Sequence, residues 1–210
     1  MNQQSPIIRA MQDDDLPNLI LIHKEVFSRT VGTSIGDNYL LAFLRWFTLY
    51  PYAINLVYII DNRLVGYVFG ASAGYGYALN RELFWPMLLG ILTHPCVAFR
   101  YRFLRQIPGR IINLLGRAAN AQLNQSPSAS NLAYKLVGIG VTSGERGHGI
   151  GRQIIGAFEA AVWERGGDEI RLTVYRDNLA ARRLYERQGW QVANEGREVI
   201  EYITRRPHQI

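Results

Sequence analysis

Apolar and polar residues alternate along this chain with two periods, and the period switches from segment to segment. "PIIRAM" is a short apolar run that reads as a first strand. In "DDDLPNLILIHKEVF", Leu16, Leu19, Ile20, Ile22, Val26 and Phe27 fall at helical spacing behind three acids, which suit the positive end of a helix dipole. "SRTVGTSIG" is loop-like. Asp37 is placed to cap a second helix that runs to about Tyr50 and ends before Pro51. "INLVYIIDNRLVGYVFG" reads as two β-rich runs joined by a tight turn at Asp61-Asn62.

Residues 70–80 are rich in glycine and tyrosine and read as irregular. From 81 to 118 apolar residues alternate with arginines, and Pro86, Pro95 and Pro108 divide the stretch into two or three short helices. "AQLNQSPSASN" is a polar loop. The later chain is more regular: a strand over 132–141, a helix over 149–165, and a strand in "GGDEIRLTVY". The helix "DNLAARRLYERQG" follows, with Asp177 as cap and Gly189 as stop, and "WQVANEGREVIEYITR" closes as a hairpin. Strands alternating with helices late in the chain, and adjacent strands early in it, make a mixed α/β sheet.

Composition narrows the picture. A chain of 210 residues fits one large domain or two small ones. The net charge is +6, and only Lys24 and Lys135 are lysines, so the positive charge is arginine, which suits planar contacts with phosphate or carboxylate. Nucleic acid, a phosphorylated cofactor and a membrane surface are all candidate anionic partners. Cys96 is the single cysteine, so no intrachain disulfide forms, and no cluster has zinc-ligand spacing. "MNQQSPIIRAMQDDD" lacks the basic start and apolar centre of a secretory signal, and the longest apolar run, 83–99, is broken by two prolines. A reducing, cytoplasmic compartment is the expectation.

The chemistry concentrates in "VTSGERGHGIGRQIIGAFEAAV". A strand ends at Val141, Gly144, Gly147, Gly149 and Gly151 follow, and a helix begins. First-turn amides of a helix have no internal partner, and glycines let an anion approach them, which describes a phosphate cradle. A nucleotide-hydrolysing loop needs lysine and a hydroxyl after the second glycine, but Ile150 and Gly151 stand there. A dinucleotide fingerprint needs G-x-G-x-x-G, and the spacing here is G-x-G-x-G. The pattern R-x-x-G-x-G is matched by Arg146, Gly149 and Gly151. The competing reading is a glycine-rich surface turn before a capped helix.

That pattern resembles the acyl-CoA diphosphate loop of the GNAT superfamily of N-acetyltransferases, with Ser143 where the family usually has proline. "LTVYRDNLAARRLYERQGWQV" is similar to the family's downstream motif: Asn178, Ala181, Leu184, Tyr185, Gly189 and Trp190 fall in order, with Trp190 in place of phenylalanine. The resemblance covers 5–70 and 130–204. It implies a mixed, mostly antiparallel α/β sheet with a splayed central strand pair, flanked by helices. Residues 1–210 would form one domain, with 71–129 as an inserted helical segment.

It also implies acetyl-CoA as cosubstrate, no metal, and direct attack of a neutral amine on the thioester. The cofactor would contact Ile139, Gly140 and Val141 on the strand, then Arg146, Gly147, His148, Gly149, Ile150, Gly151 and Arg152. Asn178, Ala181 and Tyr185 would meet it from the later helix. Asn178 and Tyr185, seven residues apart, share a helical face at about 10 Å. Tyr185 would be the catalytic acid for the departing thiolate, and an amide near Val141 would polarise the carbonyl. The other reading of Tyr185 is a core tyrosine. Lys135 occupies the position of the family's usual glutamate base, so the base is open among Glu25, Glu82, His94 and solvent.

The insertion holds Arg81, Arg100, Arg102, Arg105, Arg110 and Arg117 against Glu82, together with Phe84, Trp85, Phe99, Tyr101 and Phe103. Arginines with aromatics fit an anionic sugar nucleotide or peripheral contact of 81–117 with a membrane, and equally a helical lid whose arginines stay solvated. The segment resembles those of surface-polysaccharide acetyltransferases, which points to an amino-sugar acceptor. Protein N-terminal amines and small amines remain open as acceptors, and so does a non-catalytic acyl-CoA sensor. No nucleic-acid motif is present, so no nucleic acid is expected as partner. The oligomeric state is open, and a homodimer is compatible.

Overall fold

The computed structural model describes residues 5–27, 36–93 and 133–207. Strand β1 (Ile7–Ala10) leads through a turn of Asp13–Asp15 into helix α1 (Leu16–Val26), with Pro17 in its first turn. Helix α2 (Asp37–Leu49) follows, then strands β2 (Ala53–Ile60) and β3 (Arg63–Ser72). The β2–β3 turn has positive φ at Asp61 and Asn62, as a tight primed turn requires and as these residue types tolerate. Helix α3 spans Tyr75–Thr93. Then come β4 (Ala133–Val141), α4 (Ile150–Glu164), β5 (Glu169–Tyr175), α5 (Leu179–Arg187), β6 (Gln191–Glu195) and β7 (Val199–Arg205).

The seven strands form one sheet in the order β1-β2-β3-β4-β5-β7-β6. Every neighbouring pair is antiparallel except β4–β5. The mixed, mostly antiparallel sheet with flanking helices agrees with the expectation. Three details differ. Gly36, at φ 119°, is the N-cap of α2, and Asp37 is its first residue, ion-paired with Lys24. Asn178, not Asp177, caps α5, because its side chain reaches the Ala181 amide. Pro86 lies inside α3 without ending it, and the helix starts at Tyr75 within the stretch read as irregular. Leu79 and Leu83 of α3 are buried in the core with α2, and that packing holds the helix through the proline. Residues 94–129 of the expected insertion, with its further breaks and polar loop, lie outside the described residues.

Two cores sandwich the sheet. On one face α1, α2 and α3 pack an aromatic core containing Trp46, Phe47, Tyr67 and Phe69. On the other, α4 and α5 pack an aliphatic core containing Ile154, Ile155, Phe158, Ile170 and Ile200. Each such buried side chain contributes about 1.5–3 kcal/mol relative to exposure. Strand β3 is buried from Val65 to Ala71 because both faces are covered, whereas the edge strand β6 is exposed throughout.

Candidate functional site

The site grows from one irregularity in β4. Phe69 pairs with Gly138 but Gly70 pairs with Leu136, so Val137 is an extra residue and β4 bulges there. The bulge reverses which side chains face which core. Leu136 belongs to the aliphatic core, while Gly138 and Gly140 lie under the rings of Phe69 and Tyr67 on the other face. A Cβ on Gly138 would sit 2.6 Å from Phe69, and one on Gly140 2.7 Å from Tyr67, so only glycine fits.

Pairing of β4 with β5 ends next to the bulge. Pairing with β5 covers only Ala133, Lys135 and the residue between them, opposite Glu169–Arg171. Beyond Lys135 the two strands part, and residues 136–141 present a strand edge to β5 with no ladder among the described residues. Such an edge offers backbone donors and acceptors to any extended ligand. Ile139 and Val141 turn their side chains toward the aliphatic core, so their backbone is what the seam exposes.

The end of β4 leads into the glycine loop. A turn over Ser143–Glu145 is followed by Gly147 at φ +86° and Gly149 at φ +80°, and Gly149 is the N-cap of α4. Among the described residues nothing lies within 4 Å of where a Cβ would stand on Gly147 or Gly149, so the need for glycine there is conformational. Among the described residues no side chain caps α4. Its first amides, at Ile150, Gly151 and Arg152, are therefore available to an anion.

The side chains around these amides divide by role. Ile150 is buried in the aliphatic core, so its amide alone faces outward. Gly151 lets Leu184 of α5 approach, since a Cβ there would be 3.1 Å from it. Arg146, His148 and Arg152 are exposed. Arg146 donates from Nε to the Val141 carbonyl at 3.0 Å, and His148 lies 4.0 Å from Glu145.

Helix α5 brings up the second group. The Oδ1 atom of Asn178 accepts from the Ala181 amide at 3.2 Å, which leaves its amide nitrogen for a ligand. Tyr185 is only 4% exposed and its ring packs against Trp190 and Tyr202. Burial pushes its phenol well above the ordinary tyrosine range, so it stays protonated. Trp190 donates to Glu159 at 2.6 Å, tying the end of α5 to α4.

The expected proton acceptors fare differently. Lys135 is exposed at the last paired position before the seam, opposite Arg171. Glu25 accepts from the Ser143 amide at 2.7 Å, and hydrogen bonds from the Ser143 side chain and then from this amide hold its carboxyl below the usual range, which makes it a poorer base. Glu82 sits on α3 and pairs with Arg81 at 3.4 Å. His94 lies outside the described residues.

One polar pair next to the seam carries no motif. The Tyr67 hydroxyl and Nδ1 of His23 share a hydrogen bond at 2.8 Å in the aromatic core. Burial lowers the His23 pKa from 6.5 to about 4, so the imidazole is neutral. The pair pins α1 to β3 above Gly140. The only sign of it in sequence is a histidine on the apolar face of α1, beside Leu19 and Ile22.

Comparison with known proteins follows this geometry. The family model "Acetyltransferase (GNAT) family" matches residues 21–190. No curated protein sequence matches significantly. Among solved structures, PaiA N-acetyltransferase from Thermoplasma acidophilum, in complex with coenzyme A, is 13% identical with a TM-score of 0.58 over 97% of this chain and 100% of that one. Ribosomal-protein-alanine N-acetyltransferase from Brucella melitensis is 15% identical with a TM-score of 0.59, over 95% and 99%. An aminoglycoside N-acetyltransferase in complex with CoA is 12% identical with a TM-score of 0.60, over 93% of each chain.

Proposed function

Because this chain belongs to the acetyltransferase (GNAT) family, we propose that it seats acetyl-CoA in the β4–β5 seam and transfers the acetyl group to a primary amine in a ternary complex. The observation that carries this reading is the parting of β4 from β5 beyond Lys135, leading directly to an uncapped helix start. The diphosphate would take the amides of Gly147, Gly149, Ile150, Gly151 and Arg152, with Arg146, His148 and Arg152 supplying positive charge. Pantetheine would pair with the backbone of Ile139, Gly140 and Val141 and pass Asn178 and Ala181.

In the chemical step a neutral amine attacks the thioester carbonyl. The C–N bond forms as the C–S bond breaks, and an edge amide near Val141 polarises the carbonyl oxygen. Tyr185 hydrogen-bonds the departing sulfur. Its raised pKa makes full proton transfer to a thiolate of pKa about 8.5 uphill, so the bond stabilises charge and solvent supplies the proton. The amine loses its proton to water. Positioning alone lowers the barrier by several kcal/mol, so no nucleophile is needed.

For the acceptor we propose an amine on an anionic carrier, an amino sugar or its nucleotide conjugate, in one domain with 71–129 inserted. The support is a run of 62 residues without an acid, 83–144, that carries five arginines. The solved structures named above include enzymes for ribosomal-protein alanine and for aminoglycosides. Protein N-terminal amines are therefore the competing acceptor class. CoA release, followed across a panel of amino sugars, sugar nucleotides, peptides and small amines, tests this: turnover is expected with the anionic amino sugars. Turnover with peptides alone replaces the acceptor, and no turnover with any amine leaves an acyl-CoA sensor.

A second reading concerns α3. Tyr77, Phe84, Trp85 and Leu88 form an exposed stripe at helical spacing, with Arg81 among them. Beside the basic run this suits the surface of an anionic membrane. Among the described residues no helix is long and apolar enough to cross one. Sedimentation with phosphatidylglycerol vesicles, lost in Trp85→Ala, is the expected result, and equal sedimentation with neutral vesicles contradicts it. A cytoplasmic location, with contact at the inner surface, fits this reading.

A further inference from the structure

We propose that Glu25 is a positioning residue that sets the diphosphate-binding turn by holding the backbone amide of Ser143; this rests on the acetyl-CoA reading above. The two residues are 118 apart in sequence, yet Oε1 of Glu25 accepts from the Ser143 nitrogen at 2.7 Å. The same oxygen lies 3.8 Å from Nη2 of Arg146, whose Nε is bonded to the Val141 carbonyl. Together these contacts fix both ends of the turn that presents Gly147 and Gly149.

The anchor is packed into the core. Helix α1 buries Leu19 and Ile22, and His23 ties it to Tyr67, so Glu25 projects from an element packed against β3 and β4. Local chemistry explains why an acceptor is needed here. Ser143 stands where the resembling motif carries proline. Proline has no N–H and fixes its own φ, so a turn that begins with it needs no partner. Serine adds both a donor and conformational freedom at the first residue of the turn. A carboxylate acceptor answers both, because a charge-assisted bond to a backbone amide is strong and directional. Hydrogen bonds from Ser143, first from its side chain and then from this amide, hold the carboxyl of Glu25 below its ordinary range. A carboxylate so engaged is a clamp rather than a proton acceptor.

The test is a cycle of Glu25→Ala, Ser143→Pro and both together, with Glu25→Gln as a milder variant. CoA affinity is read by calorimetry and the KM for acetyl-CoA separately from kcat. Glu25→Ala is expected to weaken CoA binding and raise KM about tenfold, with kcat at saturation held within about twofold. Glu25→Gln keeps an acceptor oxygen and should show a smaller rise. Ser143→Pro removes the donor and rigidifies the turn, so Glu25→Ala in that background should change affinity by less than about twofold.

An equal loss in both backgrounds overturns the proposal, as does a fall in kcat with unchanged affinity, which would make Glu25 part of the chemistry. Wild-type protein that binds CoA, with Glu25→Ala binding as tightly, sinks this inference alone. Wild-type protein that does not bind CoA sinks the acetyl-CoA reading and this inference with it. Should Glu25→Ala fail to fold, Glu25→Gln and Ser143→Pro carry the comparison.

Discussion

Strand β4 has two edges, and its neighbours treat them differently. On one edge β3 pairs with it from Tyr134 to Val141, with a single bulge. On the other β5 stays with it only as far as Lys135. The paired edge is stabilised by ring-on-glycine packing and the His23–Tyr67 bond. The open edge has no such support and leads to a helix start that no side chain caps. One strand thus serves as scaffold on one side and as a ligand seat on the other, and the rigidity of the first makes the second affordable.

Perturbations of the open side should act on the reaction, and those of the paired side on stability. The largest expected effect on the reaction is on the open side. Tyr185→Phe should lower kcat about a hundredfold, the scale of losing one donor to developing charge, while the affinity for acetyl-CoA stays near wild type. Steady-state kinetics with direct binding decides this, and unchanged turnover removes Tyr185 from the chemistry.

On the paired side, stability should depend on the charge state of His23. Its folded pKa is about 4 against 6.5 when unfolded, so the unfolded chain binds more protons between those values. The neutral group's contribution is intact above pH 6.5 and is lost as pH falls toward 4, by about 3 kcal/mol in all. Thermal unfolding from pH 7 to pH 4 should show this slope, and His23→Gln should flatten it. An equal slope in the variant contradicts the assignment.

Gly149→Ala should follow in size. A non-glycine residue at φ +80° is strained by about 1–2 kcal/mol; a loop that relaxes in the free protein leaves that cost to binding, so CoA binding should weaken roughly tenfold while the melting temperature changes little. The smallest effect belongs to Lys135. It is exposed beside Arg171, and Lys135→Gln should leave kcat/KM within about twofold. A tenfold loss would give it a part in the reaction.

Much of the open side was legible in the sequence. A helix that begins on a left-handed glycine, with bare amides to offer, leaves its mark in the spacing of Gly147, Gly149 and Gly151. The Asp61-Asn62 turn is legible for the same reason, since few residues accept positive φ. The paired side was not. A bulge is one extra residue, and nothing in "KLVGIGV" marks Val137 as that residue until Gly138 is seen under Phe69. His23–Tyr67 and Glu25–Ser143 join residues far apart in sequence, so no local pattern encodes them. Pro86 failed as a stop because α3 packs on α2, and tertiary burial overrides a local breaker. Asp177 and Asn178 are both good caps, and only the final backbone chooses between them.

Amide hydrogen exchange with and without CoA tests the central claim most directly, because it reads the backbone groups that are said to hold the cofactor. Protection should rise at Ile139, Gly140 and Val141 and at the amides from Gly147 to Arg152, while β3 stays as it was. Saturating CoA that leaves these amides exchanging as before, or that protects a different surface, would contradict the account.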